Sequence, residues 1–339
     1  MATLGATYFD LIDLYKSQDG SGNFVPVIEM LNEMNPILDD AIAVECNKGT
    51  THLHTIRTGL PTVAWGKLYQ GIPQSKSGKA QVEDTTGFVE GLSTIDERLL
   101  VLSTNEGAVR LSEASAHLEA MSQEVASKIF YGNSASDPEE FMGLAPRFDD
   151  LSAPNGNQII DCGGTGSDNM SIWFVTWGDN QTQLLYPKGT HAGVSREDMG
   201  RQRVLDGNNN PYFAKEEKFS WHIGLGVKDW RYVVRLANVD ASLLAADPSN
   251  VDGANHSLYH FMRKAYWQLQ NTFVPGGKLA IYCNRDAAEA LDALGTNSGT
   301  NDNYARLRPE EIQGKMVDTY RRIPVRVCDA LLNTEARVV

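Results

Sequence analysis

With 339 residues, 42% of them hydrophobic and 22% charged, the chain is long enough for one large or two ordinary domains and has the balance of a folded soluble protein. No apolar run approaches the ~18–20 residues of a membrane span, and the opening MATLGATYFDLIDLYKSQ lacks the basic and apolar regions of a secretory leader, so neither is expected. A net charge of −13 and a pI near 5.0 exclude dedicated nucleic-acid binding, which needs clustered Lys and Arg.

Residues 1–45 carry eight acids against one base, Lys16. Weak helical patterns at 8–15 and 25–34 flank the break at Gly20 and Gly22, and Pro36 stops a helix at Asn35 or opens a new turn. By composition this is an N-terminal arm. The next stretch, from Cys46 to Val82, holds no Asp or Glu. Lys48, Arg57, Lys67, Lys76 and Lys79 give it +5, so the rest of the −13 chain carries −18. Gly49, Gly59, Pro61, Gly66, Gly71, Pro73 and Gly78 interrupt it, and residues of this kind build no core. A basic, glycine-punctuated segment in an acidic chain reads as an arm that lies on an acidic neighbour. If that neighbour is another copy, the protein is an assembly subunit.

The pattern within this stretch predicts a long extended hairpin. Strands at 52–58 and 62–68 bracket Gly59-Leu60-Pro61, a polar tip lies at 74–79, and the chain returns through 82–92. Residues 93–102 read equally as strand or short helix. Trp65 and Tyr69 sit where there is little core to bury them; docking on a partner is favoured over local packing.

Residues 112–131 give the clearest helix, with Leu111, Ala114, Leu118, Met121, Val125 and Ile129 at steps of three and four. Ser112 is the expected N-cap and Gly132-Asn133 a left-handed stop. Apolar runs at 172–177 and 183–186 around Gly178-Asp179-Asn180 predict a hairpin. Runs at 204–205 and 212–213 bracket a second turn, and 219–227 and 230–239 read as strands. The middle is therefore an antiparallel β region. Beyond it, an amphipathic helix at 257–272, a buried strand at 278–283, a helix at 285–294 capped by Asn284, a polar loop at 295–303 and a strand at 323–327 suggest a small α/β domain.

Signs of chemistry are sparse. The run Gly163-Gly164-Thr165-Gly166 lacks the GK[ST] of a phosphate loop and opens no helix, so it reads as an ordinary loop. No GxSxG, HExxH or Cys–His nucleophile pattern is present. His52 and His54 on one strand face, and His256 and His260 on one helix face, could each be half a metal site, but no carboxylate or Cys stands at ligand spacing. They read as solvated or packing histidines. The adjacent pairs Asp39-Asp40, Glu139-Glu140 and Glu216-Glu217 point in different directions and read as solvated surface. Cys46, Cys162, Cys283 and Cys328 lack CxxC spacing, the pattern of reduced thiols in a cytosolic compartment. No catalytic, cofactor-binding or metal-binding residue is expected.

A set of motifs in fixed order does carry a resemblance: NPILDDA (35–41), RTGLP and WGKLY (57–69), RLSE, MSQE and FYGN (110–133), GLAPRF (143–148), SIWFVTWG (171–178), PKGTHAG (187–193) and VKDWRYVVRLANVD (227–240). Over nearly the whole chain it resembles the major capsid protein of short-tailed, epsilon15-like bacteriophages, which have the Hong Kong 97-type fold. The resemblance implies an α+β chain with an N-terminal arm (1–45), an extended loop (46–92), a peripheral domain with a long spine helix and β strands (93–245) and an α/β axial domain (246–339). The order of elements implies a connectivity permuted relative to the prototype, in which the axial elements follow the spine helix directly. Because NPILDDA begins at residue 35, no cleaved scaffolding region is expected ahead of it.

The implied function is a structural subunit of an icosahedral head that forms hexamers and pentamers of itself, encloses double-stranded DNA without specific binding and catalyses nothing. A portal protein, scaffolding and cement or decoration proteins are the implied partners, and the virion, assembled in the host cytoplasm, the implied location. An encapsulin-like nanocompartment shell is the alternative use of the same fold. The interface residues expected are Arg57, Trp65, Lys67, Tyr69, Lys76 and Lys79 in the loop, with Glu113, Glu119 and Glu124 on the spine helix as their acidic receivers. A lysine–asparagine cross-link from the loop is not expected, since no catalytic Glu for it can be identified.

Overall fold

Nine consecutive buried residues, Asn169–Trp177, form the strand on which the larger part of the chain is organised. The computed structural model describes residues 33–103, 105–206, 208–296, 307–312 and 315–339. The helical patterns read at 8–15 and 25–34 and most of the loop read at 295–303 lie outside the described residues.

In chain order, a helical turn at Ile37–Asp40 precedes β1 (Ala43–Glu45), β2 (Thr51–Gly59) and β3 (Gly78–Asp96). A short helix at Glu97–Leu102 and a long one at Glu106–Tyr131 follow. Then come β4 (Ile159–Asp161), β5 (Asn169–Trp177), β6 (Thr182–Tyr186), β7 (Val194–Leu205), β8 (Pro211–Val227) and β9 (Val233–Asp240). Helices at Ala241–Ala246 and Leu258–Gln268, β10 (Lys278–Cys283), a helix at Arg285–Thr296, and β11 (Arg308–Ile312), β12 (Lys315–Tyr320) and β13 (Ile323–Val327) complete it. The chain divides into a larger unit, Met34–Gly87, Ser127–Ala192 and Ile223–Val339, and a smaller one comprising Phe88–Ala126 and Gly193–His222 with the segment ending at Glu33.

In the larger unit β5 is flanked on both edges by antiparallel partners, β9 and β10, while β10 continues in parallel to β13 and β9 to β4. Both faces are covered as well, which is why β5 reads as a continuous apolar run rather than an alternating one. On one face Met170, Ile172 and Phe174 meet Leu258, Phe261, Met262, Ala265, Ala287 and Leu291 from the helices. On the other, Trp173 lies against Phe130 (6.3 Å between ring centres) and Phe148 (6.0 Å), and Trp177 donates from Nε1 to the Tyr282 hydroxyl at 2.8 Å. Arg235 and Glu335, both buried, pair at 2.7 Å, and the Tyr131 hydroxyl donates to the same carboxylate at 2.5 Å, which ties the C-terminal segment to this layer. Cys46, Cys162, Cys283 and Cys328 are buried free thiols, and burial pushes the Cys283 thiol up to about 12.

Several expected elements differ. The hairpin read across 172–186 does not form: β6 pairs antiparallel with β8 and parallel with β1 and meets β5 at Trp177–Thr182. The reason is that β9 and β10 already hold both edges of β5. Residues 62–68 are not a strand, because ladder pairing ends at Gly59–Gly78. Trp230–Tyr232 is a 3-10 turn, started by Asp229 accepting from the Arg231 amide, so β9 begins at Val233. The open reading at 93–102 resolves into both alternatives, strand to Asp96 and helix after it, with the Asp96 carboxylate capping the Arg98 amide.

The long helix starts a turn and a half before Ser112. Asn105 Oδ1 accepts from the Ala108 amide at 3.2 Å, and Val109 is buried with Ile95, Leu99 and Leu100, which makes the added turns worth forming. At about 1.5 Å per residue the 26 residues reach roughly 39 Å. Its stop is not left-handed: Gly132 has no positive φ. Gly132 and Gly143 are instead a close backbone crossing, joined by the Gly143 amide donating to the Gly132 carbonyl at 2.8 Å.

The smaller unit has a modest core of Ala114, Met121 and Phe219, with Val89 and Trp221 beside it. Asp206 closes the β7–β8 turn by accepting from the Asn208 and Asn210 amides at 2.9 and 2.7 Å. Ion pairs supply the rest: Arg110 reaches Asp198 at 2.8 Å and Glu217, Arg196 reaches Glu217 at 2.7 Å, and Arg201 reaches Glu97 at 2.9 Å. Glu217 is thus buried between two arginines and not solvated as its neighbour pairing suggested, because strand alternation turns it inward while Glu216 faces the other way.

A methyl group at Gly143 would sit 2.7 Å from the Lys128 carbonyl oxygen and 2.9 Å from the Gly132 nitrogen, both backbone atoms that cannot swing aside. Gly143→Ala is expected to cost about 1–3 kcal/mol by overpacking, read as a lowered melting temperature of the purified subunit; an unchanged melting temperature would contradict the crossing.

Candidate assembly interface

The β2–β3 hairpin pairs in register from Thr51–Thr85 to Arg57–Lys79 and closes at Gly59–Gly78, with a bulge between Arg57 and Gly59. Beyond it residues 60–77 form no strand or helix. Their internal ties are few: the Ser75 hydroxyl donates to the Thr62 carbonyl at 2.8 Å, and the Gln70 amide to the Lys67 carbonyl at 3.3 Å. Tyr69 holds a left-handed backbone, φ +62°, which is uncommon for a bulky residue. Trp65 is 97% exposed, and Leu60, Val63, Leu68, Tyr69 and Ile72 are exposed with it. A single surface hydrophobe needs no explanation, but six in one short excursion form an exposed apolar patch.

The expected site residues fall in three places. Trp65, Lys67, Tyr69 and Lys76 stand on the excursion, all exposed. Arg57 and Lys79 are brought directly opposite one another at the end of the ladder, both exposed. Like charges facing across a strand pair oppose pairing, so this end of the hairpin is its electrostatically strained end. Glu113, Glu119 and Glu124 lie on the long helix. At about 100° per residue, Glu113 and Glu124 share a face and Glu119 is about 120° from it. The Glu119 carboxylate accepts from Gln123 Nε2 at 2.9 Å and from the Glu33 amide at 3.0 Å.

Sequence reasoning missed the buried polar group at the hairpin root. Asp84, 3% exposed, lies opposite His52 in the ladder and pairs with Arg147 at 2.8 Å; its other oxygen is 3.7 Å from His54 Nδ1. Arg147 also donates to the Met142 and Leu225 carbonyls, so one guanidinium joins β3, β8 and the GLAPRF turn. The His-x-His spacing was visible, but its carboxylate companion is set by strand register and could not be counted along the chain. His256 likewise gains a carboxylate, Asp252, at 2.6 Å, and its ring stacks on His260 at 4.4 Å. That contact holds the Asp252 carboxyl down to about 2, through hydrogen bonds from His256 and the Ala254 amide that outweigh its partial burial. Among the described residues no three His, Cys, Asp or Glu side chains are grouped to hold a metal ion. No described helix is long and apolar enough to cross a membrane.

The family model described as "Major capsid protein GP7" matches residues 19–339. Among solved structures, the capsid protein of bacteriophage epsilon15 is 35% identical, with a TM-score of 0.77, and the match covers 100% of this chain and 99% of that one. The SrpI encapsulin of Synechococcus elongatus PCC 7942 is 11% identical with a TM-score of 0.44, covering 68% of this chain and 96% of its own. No curated protein matches the chain by sequence.

Burial is the main cause that lowers the pKa values of His52 and His54 below the usual value near 6.5, with the Lys228 charge adding to it. A histidine depressed on folding binds fewer protons folded than unfolded. Its stabilising contribution is complete above about pH 6.5 and is lost as pH falls through the lower folded value. Amide exchange across β2–β3, corrected for intrinsic rates, is therefore expected to be several-fold faster at pH 5 than at pH 7. Changing His52 and His54 to Gln should flatten that dependence; a wild type with no pH dependence would show that the neutral rings do not hold the hairpin root.

Proposed function

The chain belongs to the major capsid protein GP7 family: it is the major capsid protein of a tailed double-stranded DNA bacteriophage, and we propose that the excursion at residues 60–77 is the arm by which one subunit grips the next. The supporting observation is the exposure of Trp65, at 97%, within a segment that has no core of its own. Ordering such residues costs roughly 1–2 kcal/mol each in backbone entropy, and burial on a neighbour is what offsets it. In this reading hexamers and pentamers of the chain close the head, residues 93–245 serve its periphery and residues 246–339 the capsomer centre. The subunit is structural and has no catalytic role.

A portal protein, with scaffolding and cement or decoration proteins, completes the set of partners, and assembly takes place in the host cytoplasm. At −13 per subunit the shell repels phosphate. Genome retention then rests on closure and not on affinity, and dissociated subunits should bind duplex DNA weakly near physiological salt.

The loop offers +5 to a chain that is otherwise −18, so charge guides the approach. Exposed pairs are worth only about 0–1 kcal/mol each and fade with salt, whereas an aromatic anchor in a pocket contributes about 2 kcal/mol or more. Trp65→Ala is therefore expected to lower particle yield on a sizing gradient more than Lys67→Ala, Lys76→Ala or Lys79→Ala singly, while all three lysines changed to Glu should stop assembly. The converse ranking would place the anchor in the charges. Because Gly59 and Gly78 pair directly, residues 60–77 can be replaced by Asn-Gly, a two-residue hairpin turn. That variant should give folded subunits and no shells; normal shells would refute the arm.

A further inference from the structure

At the root of the hairpin is a cleft of about 940 Å3. We infer that it receives an acidic side chain of a second copy of this chain, drawn to Lys228 beside the buried His52–His54 pair, with Arg57 and Arg231 also lining the cleft. This rests on the shell reading and adds a second contact to it, distinct from the exposed excursion.

The lining is polar and cationic. Arg57, Lys228 and Arg231 line the cleft along with His52 and His54, and the carboxylate among the lining residues, Asp229, is already taken by Arg231 at 2.8 Å. Arg57 has no ion-pair partner among the described residues, and it faces Lys79 across the ladder. Lys228 is half-buried and donates to the Asp179 carbonyl at 2.7 Å. Deeper in, Nδ1 of His52 and both ring nitrogens of His54 are buried without a hydrogen-bond partner, in side chains about nine-tenths buried. Unpaired polar atoms at the floor of an open cationic cleft are unfavourable unless something polar enters.

The shape of the charge selects the occupant. A carboxylate satisfies two cations at once by charge-assisted hydrogen bonds, and its second oxygen can accept from a ring N–H. The chain supplies carboxylates in excess, −18 outside residues 46–82, and in a closed shell the surfaces adjoining the loop belong to other copies. The pKa values of both histidines are lowered first by burial and further by the Lys228 charge, which places that cation beside both rings.

The test uses assembled shells. Subunits labelled separately with 14N and 15N are mixed, reassembled and treated with a carbodiimide, which joins a lysine amine to a carboxylate only where the two are in contact. Burial lowers the pKa of the Lys228 ammonium, which favours its reactive neutral amine. Mass spectrometry should find Lys228 joined to an Asp or Glu peptide of the opposite label. Lys228→Gln should lower particle yield several-fold, and Lys228→Arg, which keeps the charge, should restore it. Shells in which Lys228 couples only within its own label, or in which Lys228→Gln assembles like wild type, would overturn the docking while leaving the shell reading intact. Absence of shells in micrographs of the wild-type preparation would overturn the shell reading and the docking with it.

Discussion

β5 has no free side, and most of the larger unit follows from that. Its edges are paired with β9 and β10, and its faces are covered by helices on one side and by Trp173, Phe130 and Phe148 on the other. A strand in that position must satisfy every backbone group in its ladder and every side chain by packing. It therefore excludes the neighbour that sequence proximity would choose. β6 is sent to β8 and β1, and β8 in turn lies beside β3, the return strand of the long hairpin. The placement of the hairpin root is thus a consequence of a crowded centre.

The hairpin shows what happens when the opposite condition holds. Its root is secured by Asp84 and Arg147, a buried pair with several further hydrogen bonds, where removal of one partner would leave a charge stranded. Its end carries Arg57 against Lys79 and an excursion of apolar side chains with little to touch. Along one element the chain passes from a buried ion pair to a segment with few internal ties.

Charge is used in two ways. Within the smaller unit, acids and bases pair at short range, and buried Glu217 is held between Arg110 and Arg196. At the end of the hairpin Arg57 and Lys79 face each other with no ion-pair partner among the described residues, whereas Lys48 at its root pairs with Glu83 at 2.9 Å.

Much of this was legible along the chain. The absence of acids from Cys46 to Val82, the three- and four-residue steps of the long helix, the buried run at 278–283 and the Asn284 cap are local signals, and each reports a local cause: composition, periodicity or a side chain bonding its own backbone. The motif order carried the family. What the chain could not display was pairing. Which strand β6 joins, where the ladder of the hairpin stops, why Gly132 must be glycine, and that Asp84 faces His52 and His54 all depend on residues far apart in sequence competing for the same edge or the same space. Local preference is a property of a few neighbouring residues, whereas occupancy of an edge or a cavity is decided only when the whole core has packed.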